Sequence, residues 1–567
     1  MASVSEILQE RLQNALQALG ISIEEAPQLG PTADPRHGDY QTNVAMVLGK
    51  KLKQNPRNLA GRIVANLSMS DIGPSPEVAG PGFINFKLSP EFLALRLHEF
   101  ALDPRLGVKR AAKPKTVVID FSSPNIAKPM HVGHIRSTIL GDALAKVTRF
   151  LGHNVITDNH IGDWGTQFGK VIYGWKHLLI PKNLDSDPVA ELVRIYREAD
   201  LAAREGSGVL EECRQELVKL QQGDEENRRI WQRCVELSRQ EFSMVYDLLG
   251  VRFDYQLGES FYNPELPWIV QELLERGLAE VSDGAVVVWD RALGEDPFII
   301  QKSDGGYGYA TTDIATMEYR INHWRAEAIW YIVGAPQQLH FQQLFSLVRR
   351  LGHQIDLQHV AFGSILGEDR KLMRTRSGES VPLRTLLNEA VTRATAIVSE
   401  KNPNLSEEDR LAIGRIVGIG AVKYAELSQY RMSDYIFSWD KMLSLQGNTA
   451  PYLQNAYVRC RSIFRKLSAP YTVPGSLTLA EKPELDLAKK MLLFPDLLPT
   501  ILDGFKPNIL ANYLYELAAE FHGFYESCPV LSAEPLVRER RLMLCDIFSR
   551  LLQGGLDLLG IQVPEKM

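Results

Sequence analysis

Residues 117–164 carry the strongest fold signal in this chain: VVIDFSSPNIAKPMHVGHIRSTILGDALAKVTRFLGHNVITDNHIGDW. The apolar, β-branched run at 117–121 predicts a buried strand. From 135 to 151 apolar residues recur at helical spacing, and Gly152 follows where a helix end favours a left-handed residue. Residues 155–157 predict a second strand. A strand, a helix and a strand within this length predict a βαβ unit with parallel strands and a right-handed crossover.

The loop between the first strand and the helix carries His131, Val132, Gly133 and His134. Ligands bind outside the carboxyl ends of parallel strands, and a helix N-terminus favours anionic groups. Two imidazoles three residues apart can face one phosphate, and Gly133 would let a flat base stack close to the backbone. On the tetrapeptide alone, incidental surface histidines are an equal alternative. The position between a strand and a helix favours the phosphate site.

Composition narrows the class of protein. The chain has 567 residues, 45% of them hydrophobic and 23% charged, which predicts several globular domains. A net charge of −6 gives no global basic field, but nucleic-acid binding needs only a local positive surface. The five scattered cysteines, without CxxC pairs, predict reduced thiols in a cytoplasmic protein without structural zinc. We expect no membrane span, and the Ser3-x-x-Glu6 capping box predicts an amphipathic first helix rather than a signal peptide.

In this setting HVGH resembles the HIGH signature of class I aminoacyl-tRNA synthetases. The longer stretches SSPNIAKPMHVGHIRST and IGDWGTQFG resemble the arginyl-tRNA synthetase family specifically. Similar stretches continue to the C-terminus: YATTDIA, GIGAVKYAELS, QGNTAPYLQNAYVR and GIQVPEKM. The resemblance therefore covers essentially the whole chain.

The resemblance implies an arginine–tRNA ligase. Such an enzyme activates arginine with ATP to arginyl-adenylate and transfers it to the terminal adenosine of tRNA(Arg). Mg²⁺ would accompany ATP, and we expect no metal site made by the protein alone. Two alternatives stay open: another class I aminoacyl-tRNA synthetase, and a non-catalytic tRNA-binding relative. Intact HVGH and Lys128 argue against the second.

Three domains are predicted, and we expect the protein to be a monomer. Residues 1–110 form a small N-terminal α/β domain that contacts tRNA. Residues 111–380 form an α/β Rossmann-type nucleotide-binding catalytic domain, with a helical insertion at about 185–250. Residues 381–567 form an all-α bundle that binds the anticodon.

An arginine site must hold a planar cation with five donors, so it needs carboxylates and neutral acceptors. Tyr309 and Asp313 are four residues apart and share a face if the segment is helical. The alternatives without ligand binding are a core tyrosine for Tyr309 and a helix cap for Asp313. The resemblance implies that Tyr309, Asp313 and Gln337 hold the guanidinium. It also implies that the amino-acid end of the ligand is contacted by Asp120, Ser123 and Asn125.

The second ATP signature of class I enzymes, KMSKS, corresponds here to LMRTRSG at 372–378, where Arg376 stands in place of the second lysine. The resemblance implies that Lys128 compensates for that lysine. Phosphate charge would be stabilised by Lys128, His131, His134, Arg374 and Arg376. ATP would be bound by His131, Gly133, His134 and Met373.

The resemblance also implies two tRNA contacts. The N-terminal domain would touch the D-loop, with Tyr40 stacked on a base and Gln41 or Asn43 bonded to its edge. A helix cap and a packed tyrosine are the structural alternative. The C-terminal bundle would read the anticodon loop through stacking and hydrogen-bonding groups, namely Asn448, Tyr452, Tyr457 and Arg459.

Overall fold

The computed structural model describes residues 2–23, 27–32, 34–204, 208–373, 380–475 and 478–567. The first group of elements is α1 (Val4–Ala18), β1 (Leu29–Pro31), β2 (Tyr40–Thr42), α2 (Val44–Leu52), α3 (Pro56–Ala65), β3 (Glu77–Ala79), β4 (Phe83–Phe86) and α4 (Pro90–Leu102). Its sheet is antiparallel, in the order β1-β2-β4-β3. Ser3 and Glu6 form the predicted capping box at the start of α1. The N-terminal part is thus an α/β unit, as predicted.

The second group begins with β5 (Thr116–Asp120), α5 (Gly133–Phe150) and β6 (Asn154–Asp158). β5 and β6 are parallel, and Gly152 is left-handed at φ 94°, so the βαβ prediction is confirmed. The next helices are α6 (Gln167–His177), α7 (Pro181–Ser186), α8 (Pro188–Arg204), α9 (Val209–Gln222) and α10 (Glu225–Leu249). These helices include the insertion that was predicted at about 185–250.

The parallel sheet is completed by later elements. The chain continues through α11 (Leu266–Glu275), β7 (Glu280–Ser282), β8 (Ala285–Val288), β9 (Phe298–Gln301), α12 (Tyr309–Asn322), β10 (Ala328–Tyr331), α13 (Gln338–Arg350), β11 (Asp356–His359) and β12 (Ile365–Leu366). The parallel sheet has the order β11-β10-β5-β6, and β7, β8 and β9 form a separate antiparallel sheet. A parallel, doubly wound sheet of this kind is the predicted nucleotide-binding architecture.

The C-terminal part is helical, as predicted. Its elements are α14 (Leu383–Lys401), α15 (Glu407–Leu427), β13 (Tyr435–Ile436), α16 (Trp439–Met442), α17 (Ala450–Arg465), α18 (Lys482–Met491), α19 (Phe494–Leu502), α20 (Asn508–Ser527) and α21 (Pro535–Leu558). Its short strand β13 pairs in parallel with β12 of the preceding part. Within the described ranges, no helix has both the length and the apolar character that a membrane crossing requires.

The three parts share one continuous hydrophobic core. The N-terminal domain also docks on the C-terminal helices through polar contacts. Lys489 of α18 lies 2.8 Å from Asp39, just before β2. Arg550 of α21 donates to the carbonyl oxygens of Ala101 and Asp103, each at 2.6 Å. The relative placement of the domains is therefore fixed by specific contacts as well as by apolar packing.

Candidate active site and tRNA-facing surfaces

Three strand ends meet at the edge of the parallel sheet. Asp120 of β5 is in register with Asp158 of β6 on one side and with Tyr331 of β10 on the other. After β5, the chain first adds β6 on one side of β5 and later adds β10 on the other side. Such a switch point opens a crevice outside the carboxyl ends of the strands, where open α/β sheets bind their ligands.

A buried ion network lies beneath this crevice. Arg320 of α12 donates through Nη2 to Oδ2 of Asp120 at 2.6 Å and to Oδ2 of Asp158 at 2.7 Å. Burial opposes the charge of Arg320, but the two carboxylates raise its pKa well above the ordinary value. The hydroxyl of Ser123 donates to Oδ1 of Asp120 at 3.0 Å. Asp120 is thus already paired inside the protein, with a guanidinium that it shares with Asp158.

The loops after β5 and β6 are joined to each other. The N–H of Ile126 donates to the carbonyl of Gly162, and the N–H of Gly162 donates to the carbonyl of Pro124, each at 3.1 Å. A Cβ on Gly162 would lie 2.1 Å from Oδ1 of Asn125, so only glycine leaves room for that side chain. Trp231 of the insertion donates its indole N–H to the carbonyl of Asp163 at 2.8 Å. The helical insertion therefore supports the loop that follows β6.

Three carboxylates converge beside this loop. Burial, followed by the charges of Asp313 and Asp163, raises the pKa of Glu259 to about 8. The carboxylate of Asp163 accepts hydrogen bonds from the N–H and the hydroxyl of Ser260, both at 2.8 Å. A cation bound here would relieve the repulsion among the carboxylates. The sequence interpretation missed Glu259, which lies in the short 3₁₀ helix Glu259–Glu265 with no periodic pattern to mark it.

Asp313 and Tyr309 lie on the first turns of α12, so this segment is helical and meets the condition under which the two residues share a face. Tyr309 is 72% exposed, which excludes the core alternative. Gly308 is the N-cap residue, so Asp313 is not the helix cap; its Oδ2 lies 2.6 Å from Nε2 of His340. Burial and the nearby Glu259 raise the pKa of Tyr309. Gln337 is exposed in the turn after β10.

The two histidines of HVGH form a pair whose ring centroids are 4.1 Å apart. The N–H of His131 donates to Nδ1 of His134, and the N–H of Gly133 donates to Nδ1 of His131, both at 3.1 Å. Burial and the charge of Lys128 lower the pKa of His131, and burial and His131 lower the pKa of His134 to about 3. Both rings are therefore neutral, and each carries its proton on Nε2 because its Nδ1 accepts a hydrogen bond.

Other residues predicted for ATP lie around this pair. A Cβ on Gly133 would lie 2.8 Å from Cε1 of His131, so the space beside this glycine is taken by the histidine ring rather than left for a base. Lys128 is exposed, with its ammonium 5.9 Å from the ring centroid of Tyr196 in the insertion. Met373 follows β12, and its N–H donates to the carbonyl of Ile365 at 3.4 Å. Arg374 and Arg376 lie outside the described residues.

The structure corrects the prediction for Tyr40. This residue is 3% exposed in β2, and burial, Asp496 and Asp39 raise the pKa of its phenol. Its ring belongs to the core and is closed to a stacking base. Gln41 is half-buried and donates to Oδ1 of Asn85 on β4 at 2.7 Å. Asn43 precedes α2, but its side chain accepts no capping hydrogen bond.

An aromatic and basic cluster lies on α17 and α20. The ring of Tyr452 faces Tyr515 at 5.6 Å and His522 at 5.2 Å, measured between centroids. The guanidinium of Arg459 lies 5.6 Å from the ring centroid of Tyr525. The sequence interpretation missed the three α20 residues, although their spacing of seven and three residues puts them on one helix face.

Two other residues predicted to contact the anticodon loop have different surroundings. Asn448 is exposed just before α17, and the hydroxyl of Tyr424 donates to its Oδ1 at 2.6 Å. Tyr457 is 5% exposed, and its hydroxyl bonds Gln553 of α21 at 3.3 Å. The prediction that Tyr457 contacts RNA was therefore wrong, because its ring faces the interior of the bundle.

Comparison with known proteins assigns the chain to a family. Three family models match it: "Arginyl tRNA synthetase N terminal domain" at residues 6–88, "tRNA synthetases class I (R), catalytic domain" at 97–439 and "DALR anticodon binding domain" at 453–567. The arginine–tRNA ligase of Chromobacterium violaceum is 44% identical over 581 residues, and that of Synechococcus elongatus is 45% identical over 588 residues. Both alignments cover 100% of each chain.

Solved structures agree with the sequence comparison. The arginyl-tRNA synthetase of Plasmodium falciparum has a TM-score of 0.85 at 31% identity, and that of Thermus thermophilus has 0.84 at 26% identity. Each match covers 100% of this chain and 100% of the chain in the solved structure. This chain therefore belongs to the arginyl-tRNA synthetase family, within the class I aminoacyl-tRNA synthetases.

Proposed function

We propose that this chain is an arginine–tRNA ligase that performs its chemistry at the edge of the parallel sheet, beside β5, β6 and β10. The observation that carries the proposal is the group of carboxylates Asp163, Glu259 and Asp313, on the edge that also presents the neutral histidine pair. The acidic group suits a guanidinium, and the imidazole N–H groups suit phosphate oxygens.

In the first step, an oxygen of the arginine carboxylate attacks the α-phosphorus of ATP, and pyrophosphate leaves. In the second step, a ribose hydroxyl of the terminal tRNA adenosine attacks the arginyl carbonyl, and AMP leaves. His131 and His134 donate through Nε2 to phosphate oxygens, and the charge of Lys128 stabilises the negative charge that builds there. Mg²⁺ bound to the ATP phosphates would offset part of their charge. No side chain acts as a nucleophile.

Glu259 and Asp313 hold the guanidinium in this proposal, with Tyr309 and Gln337 as neutral partners. Ser123 and Asn125 remain predicted contacts of the amino-acid end. Asp120 also remains a predicted contact of the amino-acid end, but only its Oδ1 can make that contact, because its Oδ2 accepts a hydrogen bond from Arg320.

The domain boundaries at 110 and 380, the cytoplasmic location and the monomeric state stay predictions.

The decisive test is tRNA charging with each of the twenty amino acids in turn. Arginine alone should be esterified to tRNA, with one pyrophosphate released per charged molecule. Charging with a different amino acid would favour another class I specificity. Tight tRNA binding without consumption of ATP would favour the non-catalytic relative.

Arginine affinity should rise with pH between about 6.5 and 8. Below its pKa of about 8, Glu259 carries a proton that must leave when a guanidinium binds. The dissociation constant should therefore fall by up to about tenfold per pH unit in this range and level off above it. Calorimetry at pH 7 in two buffers of different ionisation enthalpy should detect proton release on arginine binding. The Glu259→Gln variant should abolish that release; equal release by both proteins would contradict the assignment.

Tyr452→Ala should raise the KM for tRNA about tenfold, within the roughly 1–3 kcal/mol that one base–aromatic stack contributes. The KM for arginine should not change, because the ring is on α17, away from the sheet edge. Tyr457→Phe on the same helix is the matched control, since it removes only a buried hydroxyl. Filter binding of labelled tRNA provides an independent readout. Unchanged tRNA affinity in Tyr452→Ala would contradict the prediction that the aromatic and basic cluster on α17 and α20 binds tRNA.

A further inference from the structure

A buried ion pair joins the first turn of α5 to the C-terminal helices. Nε of Arg136 lies 2.5 Å from Oε1 of Glu426 on α15, and these side chains are 1% and 3% exposed. The two residues are 290 positions apart in the chain. Arg136 follows His134 by two residues, so its guanidinium anchors the same helical turn that presents the histidine pair.

The guanidinium has further contacts in the segment that follows α15. Its Nη1 donates to the carbonyl of Ser433 at 3.0 Å, and its carbon lies 5.4 Å from the ring centroid of Tyr435. The same segment bonds the strand that leads to Met373. The N–H of Phe437 donates to the carbonyl of Leu366 at 2.9 Å. One short segment therefore contacts both the HVGH turn and β12.

Helix α15 also reaches the proposed tRNA surface. Two residues before Glu426, the hydroxyl of Tyr424 lies 2.6 Å from Oδ1 of Asn448 and 2.8 Å from the carbonyl oxygen of Ala511 on α20. A single helix thus connects Asn448 with the turn that holds His134.

The pair is not explained by stability alone. Among the described residues, Nη2 of Arg136 is buried without a hydrogen-bond partner. Burial raises the pKa of Glu426, although Arg136 and the hydroxyl of Tyr435 oppose that rise. Buried ion pairs replaced by apolar side chains of similar volume often leave a protein equally stable or more so, whereas loss of one partner strongly destabilises it. An incompletely satisfied pair at this place suggests a positional requirement.

We propose that Arg136 and Glu426 are positioning residues for the ligation reaction, which fix the HVGH turn relative to the C-terminal helices. The inference rests on the proposed function of His131 and His134. Neither side chain needs to touch substrate; the pair sets the direction in which the two Nε2–H groups point. Misplacing catalytic donors by about 1 Å can reduce turnover by about 10²-fold.

The test compares single and double substitutions. Arg136→Met and Glu426→Leu should each lower Tm, because each leaves one buried charge unpaired. The Arg136→Met/Glu426→Leu double variant should regain most of the lost Tm. Its kcat for arginine-dependent charging should nevertheless stay at least about tenfold below wild type, with the arginine KM and the tRNA Kd within about twofold. Full turnover in a refolded double variant would overturn the proposal.

Two further variants keep the test decisive if the double variant does not fold. Glu426→Gln preserves the shape of the side chain and should lower kcat without changing the tRNA Kd. Arg136→Lys retains a charge opposite Glu426 but cannot reach Ser433 in the same geometry, so it should give an intermediate kcat. Wild-type kcat in both would also overturn the proposal.

The buried pair of Arg541 and Glu484, 2.8 Å apart within the C-terminal bundle, is the control. Arg541→Met should lower Tm and leave kcat unchanged, because the hydrogen bonds of Arg541 go to Glu484 and Pro529 within the C-terminal bundle. Failure of the wild-type protein to charge tRNA with arginine would instead refute the proposed function, so the two failures are distinguishable.

Discussion

Asp313→Asn is expected to raise the arginine KM about 100-fold and to reduce the preference for arginine over citrulline sharply. Loss of one partner in a hydrogen-bonded charge pair costs about 2–5 kcal/mol, or roughly 30- to 5000-fold. Asp313 is 23% exposed, which favours the lower part of this range. Asparagine keeps the shape and can still bond His340, so the change removes mainly the charge.

Citrulline tests the same carboxylate from the ligand side. It has nearly the shape of arginine, but it is uncharged and presents an oxygen where arginine presents a donor. Sites built on such hydrogen bonds reject mismatched analogues by roughly 10⁴–10⁵-fold. In Asp313→Asn this ratio of kcat/KM values should fall to about 10² or below, with the KM for ATP nearly unchanged.

Helix α12 supplies a matched control for this experiment. Glu318 lies five residues after Asp313, and its Oε1 is 2.6 Å from Nε2 of His353, a pair with the same geometry as Asp313 and His340. Glu318→Gln should leave both the arginine KM and the citrulline ratio unchanged. Wild-type discrimination in Asp313→Asn would show that the guanidinium binds elsewhere, and Glu259→Gln would be the next variant.

Lys128→Met is expected to lower kcat by roughly 10²–10³-fold while the arginine KM changes little. Its charge acts where negative charge develops on the phosphates, so the loss should appear mainly in the transition state. Burial is the main cause of the lowered pKa of His131, and the positive charge of Lys128 is the second. The charge of Lys128 therefore acts on the histidine pair. The pKa of His131, measured by NMR, should therefore rise in the variant.

Lys115→Met is the control for the loss of an exposed lysine. Lys115 immediately precedes β5, at the opposite end of the strand from the HVGH loop. Its replacement should leave kcat unchanged. If Lys128→Met retained wild-type turnover, another cation would supply the charge, and Arg374 and Arg376 would be the residues to substitute.

Local sequence patterns predicted the elements that short-range periodicity specifies. The βαβ unit and the helical C-terminal part follow from the spacing of apolar residues along a few turns or one strand. The HVGH loop was placed correctly because its position depends only on the strand before it and the helix after it. These features require no knowledge of distant contacts.

The direction that an isolated side chain faces was harder to predict. The resemblance implied that Tyr40 and Tyr457 contact RNA, yet both rings are buried, and for Tyr40 the alternative of a packed tyrosine is confirmed. Tyr40 is covered because the N-terminal domain docks on the C-terminal helices near Asp496. Tyr457 is covered by α21, which begins 78 residues later. Neither neighbour can be read from the local pattern.

Residue patterns along the chain predict the parallel sheet and the helical character of the C-terminal part, and the resemblance to a family implies the chemistry. Which charges meet depends on long-range packing: Glu259 lies beside Asp313, Arg320 between Asp120 and Asp158, and Arg136 against Glu426. Periodicity is a property of neighbours in the chain, whereas a pKa or an ion pair depends on groups separated by tens to hundreds of residues. Glu259, Asp313, Arg320, Asp120 and Asp158 come together when the strands and helices of the catalytic part pack around the sheet edge. Arg136 meets Glu426 only when the C-terminal helices pack against α5.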